Sequence, residues 1–238
     1  KVIWSQLLVL HNFELKNMKT TTTLEPIVKF GKIQTFIAQQ NDLDSLYRLR
    51  YIAYYSENAI DSNSLNSFED KYDKSPHSIN HIAKVENEII GSIRGCIYDP
   101  QIRGSTLPSF EVFKSEIEKE IGLDDSIFES CRFVINPNNK KAFHTNLALI
   151  KTNCILCYTQ ECRHTITAVR EKHISFYEKM GFIKCSELKV YPGLKIKMVL
   201  MIAKESKSCM DLFETSFKTL YHNSADRKNY LECYRKMQ

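Results

Sequence analysis

The chain has 238 residues, of which 43% are hydrophobic and 26% are charged, so it has the composition of a globular protein with a full core. This composition excludes a disordered chain, a collagen-like fibre and a small disulfide scaffold. The net charge of +5 includes no block of five or six like charges, so it permits an acidic partner but does not indicate nucleic acid. The low counts of seven glycines and six prolines disfavour a sandwich or barrel with many tight turns.

The apolar stretches of the chain are short. The two longest, Leu7–Leu10 and Met198–Ala203, fall far short of the roughly 20 residues that a membrane-spanning helix needs. We therefore expect no transmembrane segment. The eight cysteines lie within apolar patterns and no secretory leader is recognisable, so we expect reduced core thiols in a cytoplasmic protein.

Helical and strand patterns alternate along the chain and divide it into three parts. Residues 1–31 are expected to be an appendage, residues 32–203 the main domain and residues 204–238 a helical extension. In chain order the patterns predict a strand at Ile33–Ile37, a helix from Asn41 to Asn58, a hairpin that turns at Glu86–Glu88, a helix at Phe110–Glu120, a strand at Ile127–Ile135, a helix at Ala142–Arg163, a strand at Thr165–Val169, a helix at Lys172–Met180, strands at Phe182–Cys185 and Lys195–Ala203, and helices at Cys209–Tyr221 and Ala225–Met237. This alternation predicts an α/β (α+β) layer fold around a mixed sheet.

Charged residues interrupt two of these apolar patterns. On the first helix Arg50 follows Leu46 by four residues and precedes Tyr54 by four, so it lies on the apolar face and needs a carboxylate partner. In the strand at Ile127–Ile135, simple alternation places Glu129 on one face with Cys131 and Phe133. Arg132 then points to the opposite face.

A Cys154-x-x-Cys157 pair, with Cys162 and His164 nearby, has part of the spacing of a zinc site. It lies in a helical pattern and has no second pair, so we expect no metal site.

Several short motifs follow one another along the chain. They are Tyr47-Arg48-Leu49-Arg50-Tyr51-Ile52-Ala53-Tyr54, Phe68-Glu69-Asp70-Lys71-Tyr72-Asp73, Ile90-Gly91-Ser92-Ile93-Arg94, Glu129-Ser130-Cys131-Arg132-Phe133-Val134, Phe176-Tyr177-Glu178-Lys179-Met180-Gly181-Phe182 and Tyr191-Pro192-Gly193-Leu194. The segment that begins at Phe176 resembles the aromatic-Tyr-x-x-x-Gly-Phe motif of the GNAT acyltransferase superfamily. Together, the motifs resemble the N-acyl amino acid synthases, which are relatives of the acyl-homoserine-lactone synthases. The resemblance covers about Ile33 to Ala203.

The resemblance implies a GNAT-like mixed sheet, splayed between two central strands to admit the pantetheine arm of an acyl donor. The predicted helical C-terminal extension lies outside the resemblance. The donor is expected to be the acyl-phosphopantetheine of an acyl carrier protein, or else acyl-coenzyme A, and no permanently bound cofactor is implied. A fatty acyl chain, expected to be long, moves to the amine of an amino acid. The sequence has no G-x-S-x-G elbow, so direct attack on the thioester is the economical mechanism.

The same resemblance assigns roles to residues of the motifs. The expected catalytic residues are Glu129, Arg132 and Tyr177. The expected substrate-binding residues are Arg50, Tyr54, Phe68, Asp70, Tyr72, Asp73, Phe133 and Val134. In the alternative interpretation, the aromatic residues are core and the charged residues form a buried ionic network that fixes the N-terminal lobe to the sheet.

The loop from Asn136 to His144 contains no glycine, whereas a tight pyrophosphate cradle needs glycines so that successive backbone N–H groups can close on the ligand. A carrier protein presents a single phosphate, which Lys140 or Lys141 can meet, so we expect these lysines to dock the carrier. The alternative is an ordinary solvated loop.

Two other functions remain open at this stage. One is an acyl-homoserine-lactone synthase that uses S-adenosylmethionine as acceptor. The other is a noncatalytic GNAT-like binding module that uses its basic surface, although no nucleic acid partner is expected.

Overall fold

The computed structural model describes residues 25–216 and 224–236 and shows a mixed sheet with helices on both faces. The strands are β1 (Val28–Phe30), β2 (Ile33–Ile37), β3 (Ser78–Val85), β4 (Glu88–Tyr98), β5 (Ile127–Ile135), β6 (His164–Val169), β7 (Ile183–Lys184), β8 (Lys189–Val190) and β9 (Lys197–Ala203). The helices are α1 (Leu43–Ser56), α2 (Phe110–Ile121), α3 (Ala142–Thr159), α4 (Ile174–Lys179), α5 (Ser206–Ser216) and α6 (Ser224–Arg235). Among the described residues, no helix is both long and apolar enough to cross a bilayer.

The strand order is β1-β2-β3-β4-β5-β6-β9-β7, and β8 pairs with β9 off this path. The β5–β6 pair is parallel and the other pairs are antiparallel. Helix α3 makes the connection between the two parallel strands, as a parallel pair requires. The predicted mixed sheet is therefore confirmed, and its parallel pair lies at the centre.

Helix α3 packs directly on the backbone of β4 because two glycines leave room for it. A Cβ atom added to Gly91 would lie 2.9 Å from Thr145 and 3.0 Å from Leu149, and one added to Gly95 would lie 2.7 Å from Leu156. Distances this short do not occur between real side chains. The two glycines therefore set the close approach of α3 to the sheet.

Helix α1 covers the opposite face of the sheet with the apolar side that its sequence predicts. Leu46 and Leu49 are buried in a core that also includes Phe113 of α2 and Ile127 of β5. Arg50 is fully buried on this same side, which confirms its prediction as a residue of the apolar face.

The C-terminal helix α6 packs on the α3 side of the sheet. Tyr230 is fully buried there, and its hydroxyl lies 2.8 Å from Nε2 of His81 on β3. The helices predicted beyond residue 204 are confirmed where they are described. Residues 217–223 and 237–238 lie outside the described residues.

Most predicted boundaries differ from the structure by one to three residues, and three larger differences have a clear cause. Ile27 and Val28 are buried and β1 pairs with β2, so the last residues of the predicted appendage belong to the sheet. Residues 1–24, including the apolar stretch of that appendage, lie outside the described residues. Helix α3 ends at Thr159 rather than Arg163, because the chain turns at Glu161 with a φ of 51°. Strand β8 was not predicted, since two residues carry no periodicity.

Candidate functional site

The sheet forks between β5 and β6. Their parallel ladder runs from the pair Ile127–His164 to the pair Ser130–Thr167 and then stops, although β5 continues to Ile135. At the fork, the Thr167 hydroxyl donates a hydrogen bond of 2.9 Å to the Ser130 carbonyl. The backbone edge of β5 beyond Ser130 therefore has no β6 partner, which is the splay that the sequence resemblance implies.

A β-bulge in β5 lies beside this fork. The register with β4 shifts between the pairs Ser92–Val134 and Arg94–Cys131, and Arg132 has a φ of 51°. The extra residue interrupts the alternation of side chains. Two predictions based on simple alternation are therefore wrong: Arg132 lies on the same face as Glu129, whereas Phe133 lies on the opposite one.

On the α3 face, the fork opens into an apolar cavity, which we call the fork cavity. It is lined by Ile93, Phe128, Ser130, Phe133, Ile150, Asn153, Cys154, Cys157, Thr165, Thr167, Phe176, Tyr177, Phe182 and Cys209. Tyr177 packs edge-on against Phe182 with ring centroids 5.3 Å apart. Burial raises the pKa of Tyr177 to about 12, so its hydroxyl stays protonated at neutral pH.

On the α1 face, the molecule has an open cleft of about 530 Å³, which we call the surface cleft. It is lined by Ile60, Asp61, Asn63, Phe68, Glu111, Val112, Val190, Tyr191, Pro192, Gly193, Leu194 and Lys195. A volume of this size is within the range of about 300–1,000 Å³ that ligand sites occupy.

Behind the surface cleft lies a buried charge cluster made of Arg50, Arg94, Arg132, Asp70 and Asp73. Arg94 is at its centre. Arg94 donates from Nη1 and Nη2 to both carboxylate oxygens of Asp70, at 2.7 and 3.0 Å, and from Nη1 to Oδ1 of Asp73 at 2.9 Å. The cluster therefore joins β4 to the turn that carries both aspartates.

The other two arginines extend the cluster in opposite directions. Arg50 donates to Oδ1 of Asp73 at 2.8 Å and to the side-chain oxygen of Asn80 at 2.6 Å. Arg132 donates from Nε to Oδ2 of Asp70 at 2.8 Å and from Nη2 to the carbonyl of Pro192 at 3.1 Å. Arg50 thus faces the interior, whereas Arg132 reaches the wall of the surface cleft.

The aspartates of the cluster stay ionised despite their burial. Burial by itself raises the pKa of both, but Arg94 and Arg132 hold the pKa of Asp70 well below its usual range, and Arg50 and Arg94 lower that of Asp73. Three arginines and two aspartates leave one net positive charge in the cluster.

Glu129 is fully buried on the same face of β5, next to the cluster. Its Oε2 accepts the backbone N–H of Ser109 at 3.0 Å, and its Oε1 accepts the hydroxyls of Ser109 at 2.8 Å and Tyr191 at 2.6 Å. Burial raises the pKa of Glu129, while hydrogen bonds from Tyr191 and Ser109 limit that rise. Tyr191, whose hydroxyl bonds Glu129, is also one of the residues that line the surface cleft.

The remaining predicted binding residues have different surroundings. Phe68 lines the surface cleft and packs edge-on against the buried Tyr54, with ring centroids 5.0 Å apart. Tyr72 donates a hydrogen bond of 2.8 Å to Glu111, another residue of that cleft. Val134 is buried in the core under α1 and lines neither cavity, so the structure does not support its predicted contact with substrate.

The glycine-free loop leads into the first turn of α3. Its Lys140 and Lys141 are both exposed. Lys29 and Lys32, also exposed, flank Phe30, whose ring lies 5.5 Å from that of His144 on the first turn of α3. The structure therefore places the β1–β2 turn beside the start of α3, which the predicted docking lysines of the loop directly precede.

The cysteines do not form a metal centre in the part of the chain that the structure describes, where no three His, Cys, Asp or Glu side chains are grouped to hold an ion. All eight cysteines are free thiols. Cys154 and Cys157 are one turn apart on α3 and line the fork cavity. Burial raises the pKa of Cys157 to about 12. The pair is therefore part of the cavity wall.

Sequence reasoning missed three residues of the site: Arg94, Ser109 and Tyr191. Arg94 and Tyr191 lie in motifs of the family resemblance, but the motifs by themselves assign no role to either residue. A signal for Arg94 is present, since it is the one charged residue inside an otherwise uncharged stretch from Ile89 to Tyr98. Ser109 has no such signal, because its partner Glu129 lies 20 residues further along the chain.

A sheet that forks beside a buried carboxylate, with an apolar cavity on one face and a polar cleft on the other, defines a GNAT-like acyltransferase. The family model "N-acyl amino acid synthase FeeM" matches residues 45–204. The chain belongs to this family of N-acyl amino acid synthases, which is related to the acyl-homoserine lactone synthases.

Solved structures share this fold. FeeM, an N-acyl amino acid synthase from uncultured soil microbes, aligns with a TM-score of 0.62 and 14% identity over 76% of this chain and 94% of its own. The AHL synthase LasI aligns with a TM-score of 0.55 and 14% identity over 75% of this chain and 94% of its own. The CoA-dependent acyl-homoserine lactone synthase MesI aligns with a TM-score of 0.55 and 13% identity over 80% of this chain and 97% of its own. No curated protein sequence matches the chain significantly.

Proposed function

We propose that the protein transfers a long fatty acyl group from an acyl carrier protein to the amine of an amino acid, by direct attack on the thioester. The observation that carries this proposal is the arrangement of two different sites on opposite faces of β5. The fork cavity lies on one face of the strand, and Glu129, linked through Tyr191 to the surface cleft, lies on the other. Donor and acceptor thus approach one strand from two sides.

The acceptor amine must lose a proton before or during attack. Glu129 is buried and its oxygens are occupied by Ser109 and Tyr191, so the amine reaches it through the Tyr191 hydroxyl. In this scheme the amine proton passes to the Tyr191 oxygen while the Tyr191 proton passes to Glu129. The raised pKa of Glu129 favours that transfer, because a stronger base accepts the proton more readily.

The thioester binds at the fork with its acyl chain in the fork cavity. The unpaired β5 edge beyond Ser130 is available to hydrogen-bond the pantetheine arm and the thioester carbonyl. As the nitrogen–carbon bond forms and the carbon–sulfur bond breaks, Tyr177 is the candidate donor of a proton to the leaving thiolate. The fork cavity has a volume of about 50 Å³ and an aromatic and aliphatic lining, so it holds the first part of the acyl chain, and a long chain must extend beyond it.

The exposed Lys140 and Lys141, which directly precede α3, support an acidic carrier protein as donor. Among the ion pairs of the described residues, none involves these lysines, so their charge is available to a partner. Such a donor would place the reaction in the cytoplasm. We assign the reaction to the unit from β1 to β9.

The test is coexpression with an acyl carrier protein, followed by mass spectrometry of lipid extracts and an assay of the purified protein with acyl-carrier protein and acyl-coenzyme A. We expect N-acyl amino acids with a free carboxylate and faster turnover with the carrier protein. A lactone ring that depends on S-adenosylmethionine would instead identify a homoserine-lactone synthase. No product, with binding of carrier protein or DNA alone, would identify a noncatalytic module.

A further inference from the structure

The guanidinium of Arg132 has one nitrogen without a hydrogen-bond partner. Its Nε donates to Asp70 and its Nη2 contacts both Asp70 and the Pro192 carbonyl. Its Nη1 is buried and has no acceptor in the described structure. A buried charged donor left unpaired is destabilising, so it calls for an explanation.

This guanidinium lies directly behind the wall of the surface cleft. It contacts two aromatic rings that line the cleft, with its central carbon 5.1 Å from the centroid of Phe68 and 5.6 Å from that of Tyr191. A Cβ atom on Gly193, another cleft residue, would lie 3.7 Å from Nη2. Phe68 is half-buried, so one of the rings that cover Arg132 is itself partly exposed.

The other charged side chains of the cleft already have partners. Asp61 is paired with Lys195. Glu111 accepts the Tyr72 hydroxyl at 2.8 Å and lies 2.9 Å from Nζ of Lys71. Lys195 is exposed to solvent, so among the described residues at this cleft Arg132 is the buried cation that has a donor without a partner for an incoming anion.

We propose that the surface cleft binds the acceptor and that Nη1 of Arg132 binds its α-carboxylate. This inference rests on the proposed function, because that function supplies an acceptor with both an amine and a carboxylate. The ring of Tyr191 lies against Arg132, while its hydroxyl bonds Glu129. A free amino acid in the cleft therefore places its carboxylate toward Arg132 and its amine toward the Tyr191 hydroxyl.

The test compares the amino acid found in the product with its carboxamide, which has the same amine and side chain but no negative charge. Calorimetry measures the binding of both to the full-length protein, and steady-state assays measure KM and kcat. We expect the amino acid to bind about 10- to 100-fold more tightly than the carboxamide, the effect of one hydrogen bond between charged groups. Arg132→Gln should abolish this preference, mainly through KM, and Arg132→Lys should restore part of it.

The matched control is Lys204→Gln, which removes a cation that lies outside both cavities and is paired with Glu120. It should leave the preference for the carboxylate within about threefold of the parent, a factor of well under 1 kcal/mol. Equal binding of the two ligands by the parent protein would overturn the proposal, whether or not any Arg132 variant folds. A parent that prefers the carboxylate but transfers no acyl group would leave the Arg132 assignment standing and contradict the proposed function instead.

Discussion

The two faces of β5 carry side chains of different chemistry, charged on one face and apolar on the other. The face under α1 carries Glu129 and Arg132 within a network of ion pairs and hydrogen bonds, whereas the face under α3 carries Phe128 and Phe133 in an apolar cavity. Buried charges need partners, so the first face is rigidly cross-linked. Apolar walls need none, so the second face can surround a chain without specific bonds. In the proposed function, this difference keeps the acyl donor and the polar acceptor on separate sides of β5 until they meet at the fork.

The largest effect is expected when the charge cluster loses its central arginine. Arg94 bonds both Asp70 and Asp73, so Arg94→Met leaves two buried carboxylates short of a partner and should destabilise the fold by about 3–5 kcal/mol. Arg50→Met should lower the melting temperature less, because Asp73 then keeps Arg94. Denaturant unfolding gives the free energies.

The control for this prediction is Lys84→Met, which removes a partly exposed ion pair with Asp42. Pairs of that kind contribute about 0–1 kcal/mol. If Arg94→Met were no more harmful than Lys84→Met, the cluster would not stabilise the charged face.

The second effect concerns the link from Glu129 to the surface cleft. Glu129→Gln and Tyr191→Phe should each lower kcat by on the order of 10²-fold, the usual contribution of a positioned acid or base. The double variant should be hardly slower than either single variant, because both act in one proton path. Steady-state kinetics with the natural donor measures all three.

Tyr98→Phe is the matched control, since Tyr98 donates its hydroxyl to the Leu123 carbonyl outside both cavities. It should keep the parent rate. If a folded Tyr191→Phe variant turns over at the parent rate, the proposed proton path through Tyr191 to Glu129 is wrong.

The two faces should also lose stability in different pH ranges. The pKa values of Asp70 and Asp73 are lowered, so their contribution is complete above about pH 3.9 and is lost below it. On the α3 face, burial lowers the pKa of His81 to about 3. Below about pH 6.5 the unfolded chain binds a proton at His81 that the folded chain does not, so stability falls by up to about 1.4 kcal/mol per pH unit down to about pH 3.

His81→Gln tests the contribution of His81 to this pH dependence, because glutamine can still form a hydrogen bond with Tyr230 but does not titrate. Relative to the parent, the variant should gain stability as the pH falls from 6.5 to 4, measured by urea unfolding at several pH values. Contributions from Glu129 and other groups cancel in this difference. A pH slope in His81→Gln identical to that of the parent would mean that His81 is protonated in the fold.

The smallest effect is expected at the docking lysines. Replacing Lys140 and Lys141 by glutamate should raise the apparent KM for acyl-carrier protein by about tenfold with little change in kcat, because docking contacts persist in the transition state. The effect should weaken with salt. The control substrate is an acyl-pantetheine that is too small to reach the lysines, and its KM should change far less. If the KM for acyl-carrier protein is unchanged in the double variant, the lysines do not contact the carrier.

Much of the architecture was predictable because local periodicity reflects burial. The bounds of β5 are those that the sequence predicts, and the hairpin of β3 and β4 turns where expected. The burial of Arg50 and its need for a carboxylate partner follow from its place on an apolar helical face together with the cost of an unpaired buried charge, and the structure shows that this partner is Asp73. The family was also readable, because its motifs are short and ordered along the chain.

The contacts between distant segments could not be predicted from local sequence patterns. Ser109 and Tyr191 lie 20 and 62 residues from Glu129 in sequence, and no local pattern states that they meet it. The role of Arg94 likewise depends on Asp70, which arrives from another segment.

The sequence by itself determined which segments are strands and helices and that charge is buried among them, since these follow from side-chain chemistry at periods of 2 and 3.6. Only the tertiary structure decided which face of β5 each residue occupies. A positive φ is unusual for arginine and is not encoded by its side chain. At Arg132 it accompanies the register shift between β4 and β5 and the bonds to Asp70 and Pro192. That one bulge puts Arg132 behind the surface cleft and Phe133 in the fork cavity.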